Sequence, residues 1–289
     1  TRSPLTEPGS EVKEGEYILS INGLPVNKFA NPMEALMGTA GRPTVLRVNK
    51  EPKEEGSREV IVTPLADESE LRYHAWVEQN RKYVEEKSGG KVGYLHIPDM
   101  LQNGLNQFAR QYYPQLNKAA LIIDDRGNGG GNVSPMITER LRREMVMVDI
   151  ARNGAPNVNP GGTHVGPKCM LLNEFSASDG DIFPYRFKTY GMGKLIGKRS
   201  WGGVVGIRGT LPLLDGGTLN RPEFSRYDRE GKEWIMEGDG VDPDIVVDND
   251  PAEEFAGKDA QLDRAIELML EELKLKEPTI PKPPAYPKR

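Results

Sequence analysis

Two consecutive strand-to-helix turns constrain this chain more than any other feature. The segment 121–125, which begins with three apolar residues and is predicted to be a buried strand, leads into a glycine loop, 126–132, and then into an amphipathic pattern with Ile137 and Leu141 four residues apart. A second apolar run, 169–172, leads into small polar residues and an acidic, helix-favouring segment. Unbroken apolar strands that alternate with helices are typical of parallel sheets. The pattern therefore predicts an α/β fold with both turns at the carboxyl edge of one sheet.

The second turn supplies a candidate nucleophile, Ser178. A serine on such a turn can project its hydroxyl above the sheet, and the first backbone N–H groups of the following helix lack intrahelical partners. Such donors are what an oxyanion needs, so the N–H of Asp179 is one predicted donor. The glycine loop can aim further N–H groups at the same place, because glycine backbones approach a ligand closely. The simpler alternative is that Ser176, Ser178 and Asp179 only cap a helix.

Composition argues against several functional classes for this protein. The 289 residues suffice for one large domain and a small one, and the net charge of −5 argues against a nucleic-acid partner. No apolar run is long enough to span a membrane. The single cysteine, Cys169, is predicted to be a core thiol, with no disulfide within the chain. We expect no metal or cofactor, since 238–242 lacks the ligand spacing of a calcium loop and 197–199 lacks a phosphate-loop pattern.

The pattern of strands, helices and punctuating residues predicts four segments. These are a β-rich module at 1–66, a charged helical connector at 67–90, the main α/β domain at 91–275 and a Pro-rich, extended or disordered tail at 276–289. Within the main domain, 145–150 is predicted to be a strand and 152–167 an irregular flap over a site. The chain opens at Thr1 without an initiator methionine, so we expect that its true start is missing.

Three motifs occur in order: D-x-R-x-N-x-G-G-N at 124–132, N-x-x-S-A-S-D at 173–179, and E-G-x-G-V-x-P-D at 237–244. Together they resemble the serine proteases related to the carboxyl-terminal processing peptidases and, within that group, the tricorn-type proteases. The resemblance implies a ClpP/crotonase-like stack of ββα units and hydrolysis of peptide bonds in oligopeptides through an acyl-enzyme. Residues 13–26 resemble a PDZ-domain signature, with Glu16 in place of the usual Asp. Because the carboxylate-binding loop of that domain is missing, the module is expected to be truncated.

The resemblance also implies roles for single residues. The second oxyanion donor is expected to be the N–H of Gly131, with that of Gly130 as second choice, opposite Asp179. Glu237 matches a glutamate that orients the catalytic histidine through a second serine; alternatively it is an ordinary surface residue. Asp149 matches an acid of the primary specificity pocket, which would favour a basic side chain; alternatively it only ends a strand.

The general base is harder to place. Processing peptidases use a Ser/Lys dyad, but Gly203 stands where the lysine would be, which favours the histidine-based tricorn branch. His74 lies in the connector, His96 in a strand and His164 in the flap, and none matches a family motif. All three precede Ser178, which excludes the Ser-Asp-His order of α/β-hydrolases. The resemblance implies a catalytic Ser-His pair upstream of this chain, so the chain alone is predicted to be nearly inactive.

Two alternatives come from other classes of protein. A crotonase-type acyl-CoA enzyme would share the glycine-loop oxyanion hole, but it needs no serine at position 178 and would carry no PDZ-like module. A non-catalytic scaffold that binds peptides through the module or the cleft stays open. By resemblance we expect peptide substrates, a hexameric homo-oligomer and a cytoplasmic location, or export if a signal peptide precedes Thr1. We expect neither a membrane nor a nucleic-acid partner.

Overall fold

The computed structural model describes residues 3–285, so residues 1–2 and 286–289, including the last four residues of the predicted Pro-rich tail, lie outside the description. The chain divides into two compact units, Thr1–Gln79 and Asn80–Arg289. The boundary falls within the helix α1 (Ser69–Lys87), in the segment predicted to be a helical connector. No helix of the described residues has the length and apolar character needed to cross a bilayer.

The first unit is built on a four-stranded antiparallel sheet. Its strands are β1 (Tyr17–Ile21), β2 (Leu24–Pro25), β3 (Thr44–Asn49) and β4 (Arg58–Val62), in the spatial order β2-β1-β3-β4. Asn22 and Gly23 form the hairpin turn between β1 and β2 with φ angles of 48° and 77°, both positive as a type I′ turn requires. Glu16 accepts hydrogen bonds from Arg58, which, with the Lys13 N–H, lower its pKa to about 2.

The second unit carries the two predicted turns. Its elements are β5 (Val92–His96), α2 (Gln102–Tyr112), β6 (Ala120–Asp124), α3 (Ser134–Leu141), β7 (Met147–Asp149), β8 (Asn157–Asn159), β9 (Lys168–Leu172), α4 (Asp179–Thr189), β10 (Lys194–Gly197), β11 (Gly206–Pro212), β12 (Thr218–Phe224), β13 (Ile245–Val246), α5 (Pro251–Phe255) and α6 (Ala260–Leu275). Described residues 276–285 of the tail adopt no regular structure.

Five of these strands form one parallel sheet in the order β13-β10-β9-β6-β5. Strands β5 and β6 are buried along their whole length, which explains why they appear as unbroken apolar runs. Cys169, in β9, is buried as predicted. Helix α6 contacts β6 and β9, α2 contacts β5, and α4 contacts β10. The predicted α/β class is confirmed.

The region between α3 and β9 differs from the prediction. The strand expected at 145–150 is only the three residues of β7, and it pairs with β8 inside the segment expected to be an irregular flap. These two strands form a ribbon of their own and do not join the parallel sheet. The apolar residues Val146 and Met147 are 72% and 55% exposed. The apolar pattern was therefore a poor guide here, because it did not correspond to burial.

Candidate active site

The two predicted turns meet at the carboxyl edge of the sheet, because β6 and β9 are neighbouring parallel strands. The N–H of Ala177 donates to the carbonyl oxygen of Asn128 at 2.8 Å. In return, the N–H of Gly127 donates to Oδ1 of Asn173 at 3.0 Å. The glycine loop and the serine turn are thus joined by hydrogen bonds in both directions.

Ser178 immediately precedes α4 and has φ 57° and ψ −116°. This left-handed conformation is uncommon for a residue other than glycine and costs energy, so the surrounding structure must enforce it. The Ser178 side chain makes no capping hydrogen bond to α4, and its Oγ has no hydrogen-bond partner within the described residues. Ser176, by contrast, is buried and its Oγ donates to the carbonyl oxygen of Asp125 at 2.8 Å. The Ser178 hydroxyl is therefore not used as a helix cap.

Gly130 packs directly against the serine turn. A Cβ atom at this position would lie 2.6 Å from the Ser178 Cβ and 2.7 Å from the Ala177 carbonyl oxygen. The φ angle of Gly130, 87°, would also strain any other residue. Only glycine lets the loop come this close to the candidate nucleophile.

The backbone donors around this contact differ in availability. The N–H of Gly130 already donates to Oδ1 of Asn128 at 2.9 Å, so it is not free to bind an oxyanion. The N–H groups of Gly131 and Asp179 donate to no acceptor within residues 3–285. Gly131 is held in place because the Met100 N–H donates to the Gly130 carbonyl oxygen at 2.8 Å. This geometry favours Gly131 over Gly130 as the partner of Asp179.

The side chain of Asp179 has a separate role that the sequence did not reveal. Its buried carboxylate accepts hydrogen bonds from the Ser134 N–H at 2.9 Å and from the Ser134 Oγ at 2.6 Å. Ser134 is the first residue of α3, so Asp179 satisfies an N–H at the start of a neighbouring helix. The Ser-Pro pair at 134–135 signals a helix start, but its partner 45 residues away could only be found in the fold.

The D-x-R part of the first motif makes structural contacts. The guanidinium of Arg126 binds Asp124 in a buried pair at 2.7 Å and reaches Asp259, at the start of α6, at 2.8 Å. The carbonyl oxygen of Arg126 lies 2.9 Å from Nε2 of His96. These contacts tie the end of β6 to α6 just before the glycine loop.

Glu237 braces the segment that follows Gly203. Its Oε2 accepts hydrogen bonds from the N–H groups of Val204 at 2.8 Å and Val205 at 2.7 Å. The next residue, Gly238, donates its N–H to the Gly202 carbonyl oxygen at 2.7 Å. Within the described residues Glu237 is exposed and forms no hydrogen bond with Ser178. The side chain is therefore placed to support this segment.

Trp201 occupies the space in which a lysine at position 203 would begin. A Cβ atom on Gly203 would lie 2.2 Å from the indole ring of Trp201. The backbone N–H of Trp201 donates to the Ser176 carbonyl oxygen at 3.0 Å, and the residue is 63% exposed. A lysine could not replace Gly203 unless the indole moved, which agrees with the absence of a Ser/Lys dyad.

Asp149 lies at the end of β7 and is exposed. Its Oδ2 accepts a hydrogen bond from Nδ2 of Asn159, across the ribbon, at 2.8 Å. Among the residues that the structure describes, no hydrogen bond or ion pair joins Asp149 to the Ser178 turn. The Asp149 carboxylate thus lies on the β7–β8 ribbon and does not contribute to the hydrogen bonds that join the Ser178 turn to the glycine loop.

Two of the three histidines are buried and bound to backbone carbonyls. Burial lowers the pKa of His96, whose Nε2 faces the Arg126 carbonyl oxygen. The Nε2 of His164 lies 2.9 Å from the Lys118 carbonyl oxygen, and burial, followed by the nearby charge of Lys168, lowers its pKa to about 4. Both rings are held by structural contacts away from Ser178.

The third histidine, His74, lies on the part of α1 that belongs to the first unit. Its Nε2 is 3.5 Å from Oε2 of Glu70, one helical turn earlier. No histidine within residues 3–285 therefore forms a hydrogen bond with Ser178. In the same residues, no group of three or more His, Cys, Asp and Glu side chains is arranged to hold a metal ion.

Comparisons with known proteins find relatives that match both units of the chain. Residues 91–247 match the profile of peptidase family S41, and residues 1–67 match that of the tricorn protease PDZ domain. Tricorn protease homolog 1 of Streptomyces coelicolor is 42% identical over 99% of this chain, which spans 26% of that protein. Tricorn protease of Thermoplasma volcanium is 40% identical over 97% of this chain, which spans 27% of that protein.

Among solved structures, the crystal structure of the tricorn protease matches with a TM-score of 0.84 and 40% identity, over 94% of this chain and 26% of that one. The chain thus spans about a quarter of the length of these relatives. The family profile covers more than half of the chain and includes the glycine loop, the serine turn and Glu237. The chain therefore belongs to peptidase family S41.

Proposed function

We propose that this chain carries the nucleophile and the oxyanion donors of a tricorn-type serine peptidase that hydrolyses oligopeptides. The observation that carries the proposal is the Ser178 turn. There, a strained serine with an unbonded hydroxyl lies beside two backbone N–H groups, those of Gly131 and Asp179, that have no acceptor within the described residues. A nucleophile next to preorganised donors is the arrangement that acyl transfer requires.

In this mechanism the Ser178 Oγ attacks the carbonyl carbon of the scissile peptide bond and its proton passes to a base. The negative charge that develops on the carbonyl oxygen is stabilised by the N–H groups of Gly131 and Asp179. Collapse of the tetrahedral intermediate expels the amine and leaves an acyl-enzyme on Ser178. Attack by water then releases the acid and restores the serine.

The base that accepts the Ser178 proton is proposed to come from outside this chain, as in the tricorn branch, where it is a histidine. His96 and His164 are supported in other roles by their backbone contacts, and the Trp201 indole opposes a lysine at position 203. Glu237 is proposed to help orient that base, since it holds the segment next to the serine turn. The chain by itself is accordingly proposed to be nearly inactive.

Asp149 is proposed to act in the specificity pocket and to favour peptides with a basic side chain at the cleaved position. In the whole protein we propose a cytoplasmic homo-oligomer, hexameric as in tricorn-type proteases, with peptides as substrates. The exposed carboxylate of Asp149 is available for such an interaction, although Asn159 already donates one hydrogen bond to it.

A fluorophosphonate probe tests the proposal, because it labels only activated serines. Labelling is measured in this chain and in the parent-length protein, each with Ser178→Ala as control. We expect labelling of the parent-length protein alone and none in either Ala variant. A matched variant, Ser176→Ala, should leave the labelled site unchanged, because the Ser176 Oγ is engaged with the Asp125 carbonyl oxygen.

If neither form reacts while peptides still bind, the peptidase proposal fails and a peptide-binding scaffold takes its place. If the parent-length Ser178→Ala variant is labelled as strongly as the unmodified protein, another serine is the nucleophile. If this chain reacts alone, the base lies within it.

A further inference from the structure

A cavity beside α4 takes no part in the proposed reaction. Its volume is about 550 Å³, within the range of ordinary ligand sites. One wall is a single face of α4 that runs from Ile182 to Tyr190, at the end of the helix, and the rest of the lining belongs to the segment 226–236. The cavity lies entirely within the second unit of the chain.

The cavity adjoins the candidate active site through both of its walls. The Ile182 N–H donates to the Ser178 carbonyl oxygen at 3.1 Å, so the α4 wall begins one helical turn after the candidate nucleophile. On the other wall, the Arg226 guanidinium donates to the Val204 carbonyl oxygen, and the Val204 N–H is bound by Glu237. A ligand in the cavity would therefore contact elements that are bonded to the Ser178 turn and to the segment braced by Glu237.

The lining carries three arginines and, among the described residues, no acid: Arg186, Arg226 and Arg229. Within residues 3–285 the side chains of Arg186 and Arg229 donate to no acceptor, and the Nε of Arg186 is buried. The one hydrogen bond of the Arg226 side chain goes to the Val204 carbonyl oxygen. In the same range none of the three guanidinium groups forms an ion pair with a carboxylate. Cations that share a cavity without a counter-ion repel one another, and a bound anion would relieve that repulsion.

A role in helix capping accounts for only one of the three arginines. Arg186 lies in the last turn of α4, where a cation interacts favourably with the helix dipole. Arg226 and Arg229 lie outside any helix. The nearest acid in sequence, Asp228, is engaged elsewhere, because its Oδ1 accepts the N–H groups of Lys232 at 2.6 Å and Glu233 at 3.2 Å. The arrangement of the three arginines is thus unexplained by contacts within the described chain.

The uncharged lining indicates what accompanies the anion. It consists largely of aromatic and apolar side chains: Tyr185, Tyr190, Tyr227, Ile182, Ile235 and Met236. Guanidinium groups match the planar geometry of a carboxylate, and an apolar lining favours an apolar group beside it. We propose that the cavity binds a peptide carboxylate that has an apolar side chain next to it. The choice of a peptide rests on the proposed function, in which each hydrolysis consumes a peptide and releases a new carboxylate.

Isothermal titration calorimetry of this chain tests the binding with two matched pairs of probes. N-acetyl-leucyl-leucine and its neutral counterpart, N-acetyl-leucyl-leucinamide, differ only in the terminal carboxylate. N-acetyl-leucyl-glutamic acid α-amide and N-acetyl-leucyl-glutaminamide differ only in the side-chain carboxylate. We expect the acid of at least one pair to bind about tenfold more tightly than its neutral counterpart. The pair with the larger contrast identifies whether the carboxylate is terminal or belongs to a side chain.

Two variants assign the binding to this cavity. Arg186→Gln and Arg229→Gln should each raise the Kd of the acid about tenfold and leave the Kd of the neutral probe unchanged, because a charge-assisted hydrogen bond is lost. The side chain of Arg229 is exposed and makes no hydrogen bond in the described chain, so the fold should tolerate its replacement. Arg110→Gln removes an exposed arginine of α2, outside the cavity, and should bind the acid as the unmodified chain does.

The proposal is overturned if both acids bind no more tightly than their neutral counterparts, or if neither arginine variant weakens the binding of the acid. It is also overturned if acetate alone competes as well as the peptide acid, since the apolar lining would then contribute nothing. None of these measurements requires a reactive Ser178. Failure of the peptidase proposal, seen by probe labelling, and failure of this one are therefore separate results.

Discussion

The Ser178 turn and the β7–β8 ribbon, which carries Asp149, are held in very different ways. The turn follows a buried strand and is bonded to the glycine loop through Asn128 and Asn173. The ribbon consists of two three-residue strands whose residues are exposed or half-buried, and among the described residues only strand pairing and one side-chain bond hold Asp149. The candidate nucleophile is thus preorganised within this chain, whereas the candidate specificity residue is loosely constrained.

The two regions differ in how firmly they are held because they lie at different positions relative to the parallel sheet. The turn lies at the carboxyl edge between buried parallel strands, where packing can enforce a strained serine. A two-stranded ribbon buries little apolar surface and is marginally stable unless it packs against something else. We therefore expect substitutions at the turn to affect stability strongly and substitutions on the ribbon to affect it weakly.

Gly130→Ala should produce the largest effect. The new Cβ would lie 2.6 Å from that of Ser178, at a φ angle of 87°, so the loop and the turn must separate. We expect the free energy of unfolding to fall by about 3 kcal/mol. Denaturant unfolding measures it, with Gly129→Ala as the matched control, because a Cβ there meets nothing within 4 Å. Equal losses in the two variants would contradict the close packing of the loop against Ser178.

Acid should destabilise the chain through His164, which anchors the end of the segment that contains the ribbon. The folded pKa of about 4 lies below the ordinary value, so the unfolded state binds the proton more readily and stability falls as pH drops from about 6.5 to 4. We expect His164→Gln to remove about 2 kcal/mol of this loss. Unfolding at pH 7 and pH 4.5 measures it, with His74→Gln as control; an unchanged acid dependence in His164→Gln would contradict the assignment.

Asp179→Ala and Ser134→Ala should each lower the free energy of unfolding by about 1 to 2 kcal/mol, because a buried bond partner is lost. The two carboxylate bonds belong to one contact, so the double variant should lose less than the sum of the single losses. A double-mutant cycle by chemical denaturation measures the coupling. Additive losses would show that the two helices are held together by other contacts.

Asp149→Asn should have the smallest effect on stability, within about 0.5 kcal/mol, because the residue is exposed. In the parent-length protein we expect kcat/KM for peptides with a basic residue at the cleaved position to fall about tenfold, which corresponds to about 1.4 kcal/mol. Peptides with an apolar residue there should be cleaved as before. An equal fall for both kinds of peptide would remove Asp149 from the specificity pocket and would place it in the support of the ribbon.

Several elements could be predicted from local patterns. The buried strands β6 and β9 and the glycine loop between β6 and α3 appear directly as apolar runs and a glycine cluster, since burial on both faces leaves no polar positions. The strand expected at 145–150 was mostly wrong, because Val146 and Met147 are apolar yet exposed. A pattern of apolar residues predicts a strand or helix only where the fold provides another surface that buries those residues.

The candidate site was predicted in part. The proposed backbone role of Asp179 follows from its place at a helix start, but the bond between its carboxylate and Ser134 does not, because the two residues are distant in sequence. The order of Gly131 before Gly130 as the expected donor came only from the family resemblance, and the bond that already engages the Gly130 N–H with Asn128 is visible in the fold alone. Sequence patterns carry no information about such competition between acceptors.

The sequence by itself determined the α/β class, the two turns at one edge of the sheet and the serine that follows the second strand, because each depends on local periodicity and turn chemistry. Only the tertiary structure decided that, within the described residues, the Ser178 hydroxyl is unbonded, that Trp201 fills the place of a lysine, and that the buried Asp125 carboxylate finds no donor. These features arise when segments distant in the chain exclude water from the same space, and packing rather than local preference then sets which polar groups find partners.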